Sequence, residues 1–575
     1  MSSDNGKITS GGVIFSRLRD LGVEYVFCNS GTDFPPIIEG LVAAKAKGLP
    51  LPQAITVPHE HAAMSMAHGY YQISGRCAAV MLHTNVGLSN GVTGAINAAC
   101  AHVPVLMMSG RTPVTEHSRL GARTVPIGWG QEMRDQAAMI RECCKWEFEL
   151  KFPEQIGEHL DRAFAISNSA PKGPSYLSLP RETLCEDIDP ATLAPAGSIA
   201  PVRMAPDPES LKRAAAALAG AKAPLIVAQR GAGDEASFRL FQKLVEDWAI
   251  PVCSYWAVEL SIPTEHPCHV GADPSPWVEE ADVIVILDSL APWQPDVHKP
   301  RPDATIIHLG PDPVFSRFPV RGFRADITLA GESADTIPAL AAALSGLNRD
   351  ETTLAARRKR IAAASEATRR KQREIAEQGK GGPMMTKQWV SQCLGEALAA
   401  VEKTGRKSTV YAELGAMLGY LRRSERNSFF QEPHSGGLGW GFGAALGAQL
   451  ADPERIVVAT MGDGSYMFSN PTVCHQIAEG LRLPVITLIL NNHEWGAVRQ
   501  SVVGLYPDGH AAKANEVPLT ALTPSPDFVQ TAKASNAHAE RVERGEELPA
   551  ALERAIRIAT EERRQVLLDI QVSKG

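Results

Sequence analysis

The chain has 575 residues, of which 44% are hydrophobic and 21% charged, and a formal net charge of -7. That balance describes a globular protein with several cores and no basic face for nucleic acid, so the expected partners are small molecules and other copies of the chain. Ten cysteines form no CxxC pair, and the adjacent Cys143 and Cys144 match neither a disulfide framework nor a zinc finger, so they read as reduced thiols in the cytoplasm. The apolar runs, such as Pro484 to Leu490, fall short of the about 20 residues that span a bilayer. The opening MSSDNGKITSGG has no basic-then-apolar signal pattern. No membrane partner is expected.

In chain order, the first third alternates short apolar runs with alanine-rich helical stretches: YVFCNSG, HEHAAMSMAHGYYQISG, AAVMLHT, GLSNGVTGAINAACAH, VPVLMMSG and PSYLSLPRE. This rhythm predicts βαβ units on a parallel sheet. A Pro/Ala-rich stretch, residues 189–210, reads as a linker. A second block offers strand candidates APLIVAQ, IPVCSY, ADVIVILD and ATIIHLG, and after about residue 345 a charged helical run follows, with Gly381 to Pro383 as its stop. The last third repeats the alternation through STVYAEL, GLGWGFGAALGAQLA, RIVVATMGDGS, PVITLILNN and QVLLDIQV. The expected fold class is α/β, with three doubly wound parallel-sheet domains at 1–190, 205–345 and 383–575 and a helical linker at 346–382.

The chemistry concentrates in the last domain. Gly462-Asp463-Gly464 closes one strand and Asn491-Asn492 closes the next, and the residues between them suffice for a loop, one helix and the following strand. A right-handed crossover of that kind makes both strands parallel, so Asp463 and Asn492 arrive together at the carboxyl edge, where open α/β sheets bind ligands. One carboxylate and one amide oxygen form a hard donor set suited to Mg²⁺ or Ca²⁺, and sparsely bound Mg²⁺ completes its shell with water and phosphates. The flanking glycines let the backbone approach a phosphate closely. Singly, GDG is a common turn and Asn-Asn a common strand end; the pair at this spacing is far more specific.

A GDG followed at this distance by NN resembles the diphosphate-binding signature of thiamine diphosphate (ThDP) enzymes, and the whole chain is similar to the acetolactate synthase, benzoylformate decarboxylase and pyruvate oxidase group. The resemblance implies a pyrimidine-binding, a middle and a diphosphate-binding domain. It places Mg²⁺ on Asp463, Asn492 and the backbone carbonyl of Glu494, and the diphosphate on Gly464 and Ser465. The spacer is about two residues longer here than in those relatives, near SNPTVCHQ. The resemblance also assigns Glu60, in VPHEHAAMSMAHGYY, as the acid on the coenzyme's pyrimidine ring, where it favours the imino form that acts as base. The bland reading of Glu60 is a favourable helix N-terminus; a zinc HExxH is excluded because position 63 is Ala. In SGGLGWGFGAALGAQLA the glycines at 439, 441 and 443 lack GxGxxG spacing. By resemblance Leu438 wedges between the two coenzyme rings, the Gly436 carbonyl accepts from the pyrimidine amine, and Gly415 and Ala416 offer amides to phosphate.

For the substrate, the resemblance implies a 2-oxo acid or an aldehyde. His83, in VMLHTNVGLSN, is similar to the proton-relaying histidine of benzoylformate decarboxylase, and Thr32, in CNSGTDFPP, falls where that enzyme holds the substrate carboxylate with a serine. His434 is a further candidate for the pocket wall. WGAVRQSVV and KWEFELKF resemble acetolactate synthase, yet Ser501 stands where that enzyme usually has a selecting tryptophan, and its FAD-contacting arginine-rich motif is missing, so FAD is not expected. The segment from Arg111 to Gln131 is longer than in benzoylformate decarboxylase. Decarboxylation and carboligation both stay open, as do a CoA-thioester decarboxylase or lyase and a catalytically silent ThDP-binding subunit. The family arrangement implies a homodimer or homotetramer whose active sites lie between protomers.

Overall fold

The computed structural model describes residues 8–193, 195–197, 199–382 and 384–574, and they fall into two compact units. One comprises the chain up to Val202 with Pro433–Pro453 and Phe468–Leu483; the other holds Arg203–Glu432, Glu454–Met467 and the chain from Pro484. The expected stop at Pro383 lies outside the described residues. Among the described residues no helix is long and apolar enough to cross a membrane.

In the first unit a two-residue strand, β1 (Ile8–Thr9), pairs antiparallel with β8 (Asp187–Ile188). Between them in sequence lie β2 (Tyr25–Cys28), β3 (Gln53–Thr56), β4 (Ala78–Leu82), β5 (Val105–Arg111), β6 (Glu147–Glu149) and β7 (Ser175–Pro180), which form a parallel sheet in the order β3-β2-β4-β5-β7-β6. All five residues of β4 are buried, as expected of a central parallel strand covered on both faces. The helix Glu60–Ser74 ends at Gly75, whose φ of 70° is the left-handed cap glycine adopts without strain.

The glycine-rich stretch of the sequence becomes the helix Trp440–Ala451, packed against Glu60–Ser74 in the same unit. A Cβ on Gly69 would stand 1.9 Å from the Ala444 carbonyl oxygen, and one on Gly447 the same distance from that of Met66. Each helix therefore presents a glycine where the other's backbone passes, and any side chain there would push the pair apart.

The second unit carries two more parallel sheets. β9 (Pro224–Ala228), β10 (Val252–Cys253), β11 (Val283–Leu287), β12 (Thr305–Gly310) and β13 (Ile327–Ala330) run in the order β10-β9-β11-β12-β13. β14 (Ser408–Glu413), β15 (Phe429–Gln431), β16 (Ile456–Gly462), β17 (Ile486–Asn491), β18 (His538–Val542) and β19 (Val566–Gln571) run β15-β14-β16-β17-β19-β18. The charged run forms the helix Glu351–Gln378, capped by Asp350. The Pro/Ala-rich linker stops short of its expected end: Asp207 caps a helix that begins at Pro208, with Pro in the first turn where its missing N–H costs nothing. The spacer after Asp463 holds two helices rather than one, Asp463–Phe468 and Pro471–Gly480. The break falls at Asn470, which adopts φ 53° ahead of Pro471, because a residue before proline is driven out of the right-handed helix and asparagine tolerates the left-handed one.

Candidate active site

β16 and β17 are parallel neighbours with Gly462 opposite Leu490, so Asp463 and Asn492 emerge side by side at the carboxyl edge of their sheet. Asp463 is 2% exposed and its Oδ2 has no hydrogen-bond partner among the described residues; the hydroxyl of buried Ser465 has none either. Burial pushes the Asp463 carboxyl up to about 6, against the pull of the Gly464 backbone. Buried polar groups in native proteins are paired, so these two oxygens point to a partner that a ligand supplies. The residues fit a metal-bound diphosphate on that test.

The two asparagines divide their work. Asn491 Nδ2 donates to the fully buried Asp569 at 3.0 Å and is structural. Asn492 Oδ1 accepts from the Glu494 amide at 3.2 Å, which aims this side chain along the same loop. The Glu494 carboxylate is taken by Arg499 through two contacts to Nε of 3.0 Å, and its backbone carbonyl accepts from the Gly496 amide at 2.8 Å. A Cβ on Gly464 would overlap the Trp495 ring at 2.1 Å, which is why glycine follows Asp463. At the end of β14 the Ala416 amide already donates to Thr460 Oγ1 at 3.0 Å, and a Cβ on Gly415 would meet the Thr460 carbonyl at 2.3 Å. The sequence reading missed Lys387, whose Nζ donates to the Leu414 carbonyl at 3.0 Å; burial lowers its pKa while the charges of Asp463 and Glu432 raise it.

In the other unit the carboxyl edge of the first sheet collects a second set of groups. Glu60 opens its helix, is 7% exposed, and accepts from Asn90 Nδ2 at 3.1 Å. His83 follows β4, and its Nδ1 donates to Asp33 Oδ1 at 2.6 Å; Asp33 Oδ2 accepts from the Thr84 amide at 3.3 Å. Asp33 was not singled out in the sequence, whereas its neighbour Thr32 was; Thr32 is exposed and Asp33 is 4% exposed. Two glycines make room for the pair, since a Cβ on Gly31 would lie 2.1 Å from His83 Nδ1 and one on Gly110 1.6 Å from Asp33 Oδ2. The Asp33 hydrogen bond raises the His83 pKa against the opposing effect of burial, and the charges of Asp33 and Glu60 add to the rise. With Nδ1 committed to the acid, Nε2 is the nitrogen left to exchange a proton. Gln131 Nε2 lies 3.4 Å from it, a long contact.

The Ser435–Leu438 loop is pinned within this unit by Asn97. Its Nδ2 donates to the Gly437 carbonyl at 2.8 Å and its Oδ1 accepts from Ser435 Oγ at 2.7 Å. Gly436 takes φ 67° with open space beside it, so its need for glycine is conformational. Leu438 and His434 are half-buried on either side of this pinned segment. The structure thus brings Glu60, Asp33 and His83 together in one unit and Asp463, Ser465, Asn492 and Glu494 together in the other. Asn97, Asn90 and Asp33 carried no local pattern that marks them.

Parallel α/β sheets thus carry Glu60, Asp33 and His83 at the carboxyl edge of one and Asp463 and Asn492 at the carboxyl edge of another, the edge where open α/β sheets bind ligands. Residues 8–139, 211–340 and 413–570 match the family models described as the N-terminal TPP binding, central and C-terminal TPP binding domains of thiamine pyrophosphate enzymes. The chain belongs to the thiamine diphosphate-dependent enzyme family. It is 25% identical over 563 residues to a probable acetolactate synthase large subunit of Methanocaldococcus jannaschii, covering 94% of this chain and 89% of that one. It is 26% identical over 537 residues to a probable 2-ketoarginine decarboxylase of Pseudomonas aeruginosa, covering 92% and 88%. In fold it is similar to the thiamine diphosphate-dependent 4-hydroxybenzoylformate decarboxylase of Rhodococcus jostii RHA1, with a TM-score of 0.76 at 21% identity over 99% of both chains.

Proposed function

We propose that this chain is a ThDP- and Mg²⁺-dependent enzyme that cleaves the carbon-carbon bond beside the carbonyl of a 2-oxo acid by decarboxylation, and then protonates the acyl fragment or joins it to a second carbonyl compound. The observation that carries this reading is the buried, unpartnered Asp463 carboxylate oxygen beside the unpartnered Ser465 hydroxyl at a sheet's carboxyl edge. Asp463, Asn492 and the Glu494 carbonyl would hold the cation, and Gly464, Ser465, Gly415 and Ala416 would approach the diphosphate. Leu438 and the Gly436 carbonyl would face the ring system. When bound, ThDP supplies the electron sink that makes the bond breakable.

The chain's own residues then manage protons and water. Glu60, steadied by Asn90, would face the pyrimidine ring and exchange a proton with it. His83, steadied by Asp33, would give and take a proton at Nε2, with Thr32 and His434 at the wall. Glu60 and the Asp463 cluster serve one coenzyme from two copies of the chain, so a homodimer or a homotetramer is the active form.

The test is to incubate the purified chain with ThDP, Mg²⁺ and a panel of 2-oxo acids while following carbon dioxide and acyloin release. Turnover of at least one donor, lost on removing Mg²⁺, is expected. Tight ThDP binding without turnover of any donor replaces this reading with that of a silent coenzyme-binding subunit.

A further inference from the structure

Neighbouring strands of the first sheet deliver more than the proton relay. β2, β4, β5 and β7 lie side by side, and their carboxyl ends carry Thr32 and Asp33, then His83, then Arg111, then Arg181. The segment after Arg111 folds back and adds Arg123. These three arginines share the wall of a cavity open to solvent with Asp33 and Gln131, the groups that touch His83.

The charged groups around the cavity are not all paired with one another. Arg111 pairs with Glu132 at 2.7 Å and with Glu149; Arg123 shares Glu132, and Lys151 shares Glu149 at 2.6 Å. Asp33 is committed to His83. Arg181 has no carboxylate partner among the described residues. Its Nε and both terminal nitrogens donate instead to the carbonyls of Gly121 at 2.7 Å, Ala122 at 2.6 Å and Thr32 at 3.2 Å. The adjacent Glu182 turns to the Thr115 amide and hydroxyl, both at 2.6 Å. Three carbonyls fix the orientation of the guanidinium and leave its charge and two of its five N–H groups unmatched. A role as a clip for the Gly121 loop explains those three bonds, but it does not explain why a cation is spent where a neutral donor would serve.

We propose that this cavity is the subsite for a second anionic group on the substrate, a carboxylate or a sulfonate at the end remote from the reacting carbonyl, with Arg181 as its principal contact. This rests on the 2-oxo acid reading, which puts the reacting carbon beside His83. The carboxylate that departs as neutral carbon dioxide is a poor match for an arginine clamp, which would stabilise the ground state and be lost in the transition state. An anion that persists through the reaction gains orientation from the clamp at no such cost.

Calorimetry on the full coenzyme-free chain tests the subsite without turnover, with glutarate and 3-sulfopropionate as dianionic probes and pentanoate as the control that lacks a second anion. Binding of either dianion about tenfold or more tighter than pentanoate is expected, and the tighter of the two names the head group. Arg181→Gln should reduce that ratio to near one and Arg181→Lys should retain part of it. Equal binding of all three by the wild-type chain overturns the proposal, as does a ratio untouched by Arg181→Gln in a folded variant. With ThDP and Mg²⁺ added, the KM ratio of 2-oxovalerate to 2-oxoglutarate should move in the same direction. Selective dianion binding through Arg181 without turnover keeps the subsite and removes the decarboxylase reading; turnover with no dianion preference does the reverse.

Discussion

Asp33 Oδ1 and His83 Nδ1 are joined at 2.6 Å across fifty positions of sequence, and both side chains occupy space that Gly31 and Gly110 leave empty. The acid fixes the imidazole's tautomer and favours its charged form. Because the folded pKa of His83 is raised, the stability this pair supplies is complete below about pH 6.5, the ordinary value for histidine, and fades as pH rises through the raised value.

Asp33→Asn should therefore lower the His83 pKa, read by NMR titration of the ring, and cost most stability on the acidic side of that window. The gap between the denaturation curves of wild type and variant should shrink toward alkaline pH. A gap that widens there contradicts the assignment. His83→Ala should lower kcat by about 10²-fold, the usual weight of a positioned acid-base group.

Gly69→Ala tests the helix pair. Alanine is the better helix former by about 1 kcal/mol, yet its Cβ would lie 1.9 Å from the Ala444 carbonyl oxygen, and such overpacking costs about 1–3 kcal/mol or more. Net destabilisation is expected in urea titrations. Gly480→Ala, at a helical position with nothing within 4 Å of the new carbon, should be neutral or stabilising.

These two cases mark what the sequence could and could not reveal. Asp463 and Asn492 were legible because each ends an apolar run, and a strand's end in a crossover is a place in space as well as in the chain. Glu60 and His83 were picked out through the family resemblance, and the structure sets each at the start of a helix that follows a strand of the first sheet. Asp33 was not, because its role depends on His83 and on the space above Gly110, neither of which is near it in sequence. The same holds for Asn97, which pins a loop more than three hundred positions away. The glycines from 439 to 447 announced close packing but not the surface they pack on. Local periodicity encodes the strand and its end; contacts between distant segments have no local period to read.

Asp463→Asn should move two measurements in opposite directions. A buried carboxylate oxygen without a partner weakens the coenzyme-free protein, so replacing it should stabilise that form by on the order of 1 kcal/mol in thermal or chemical denaturation. On the proposed reading the same change removes a charged cation ligand and should weaken Mg²⁺-dependent ThDP binding by about 10- to 100-fold, followed by tryptophan fluorescence. A variant that loses both stability and binding would point to a structural role instead.

The roles proposed for Glu60 and Asp463 can be tested against each other. Glu60→Gln should keep cation and diphosphate binding but lose proton exchange at the coenzyme, by about 10²-fold or more, while Asp463→Asn should fail at binding. If Glu60 and Asp463 of different copies meet at one coenzyme, a mixed dimer of the two variants contains one site with both defects and one with neither. Unfolding and refolding an equal mixture should then restore activity at about a quarter of all sites, since half the dimers are mixed and half of their sites are intact. If both residues come from the same copy, every site in the mixture carries a defect and activity stays at the level of the separate variants. The recovered fraction, read from carbon dioxide release, separates the two arrangements without any structural measurement.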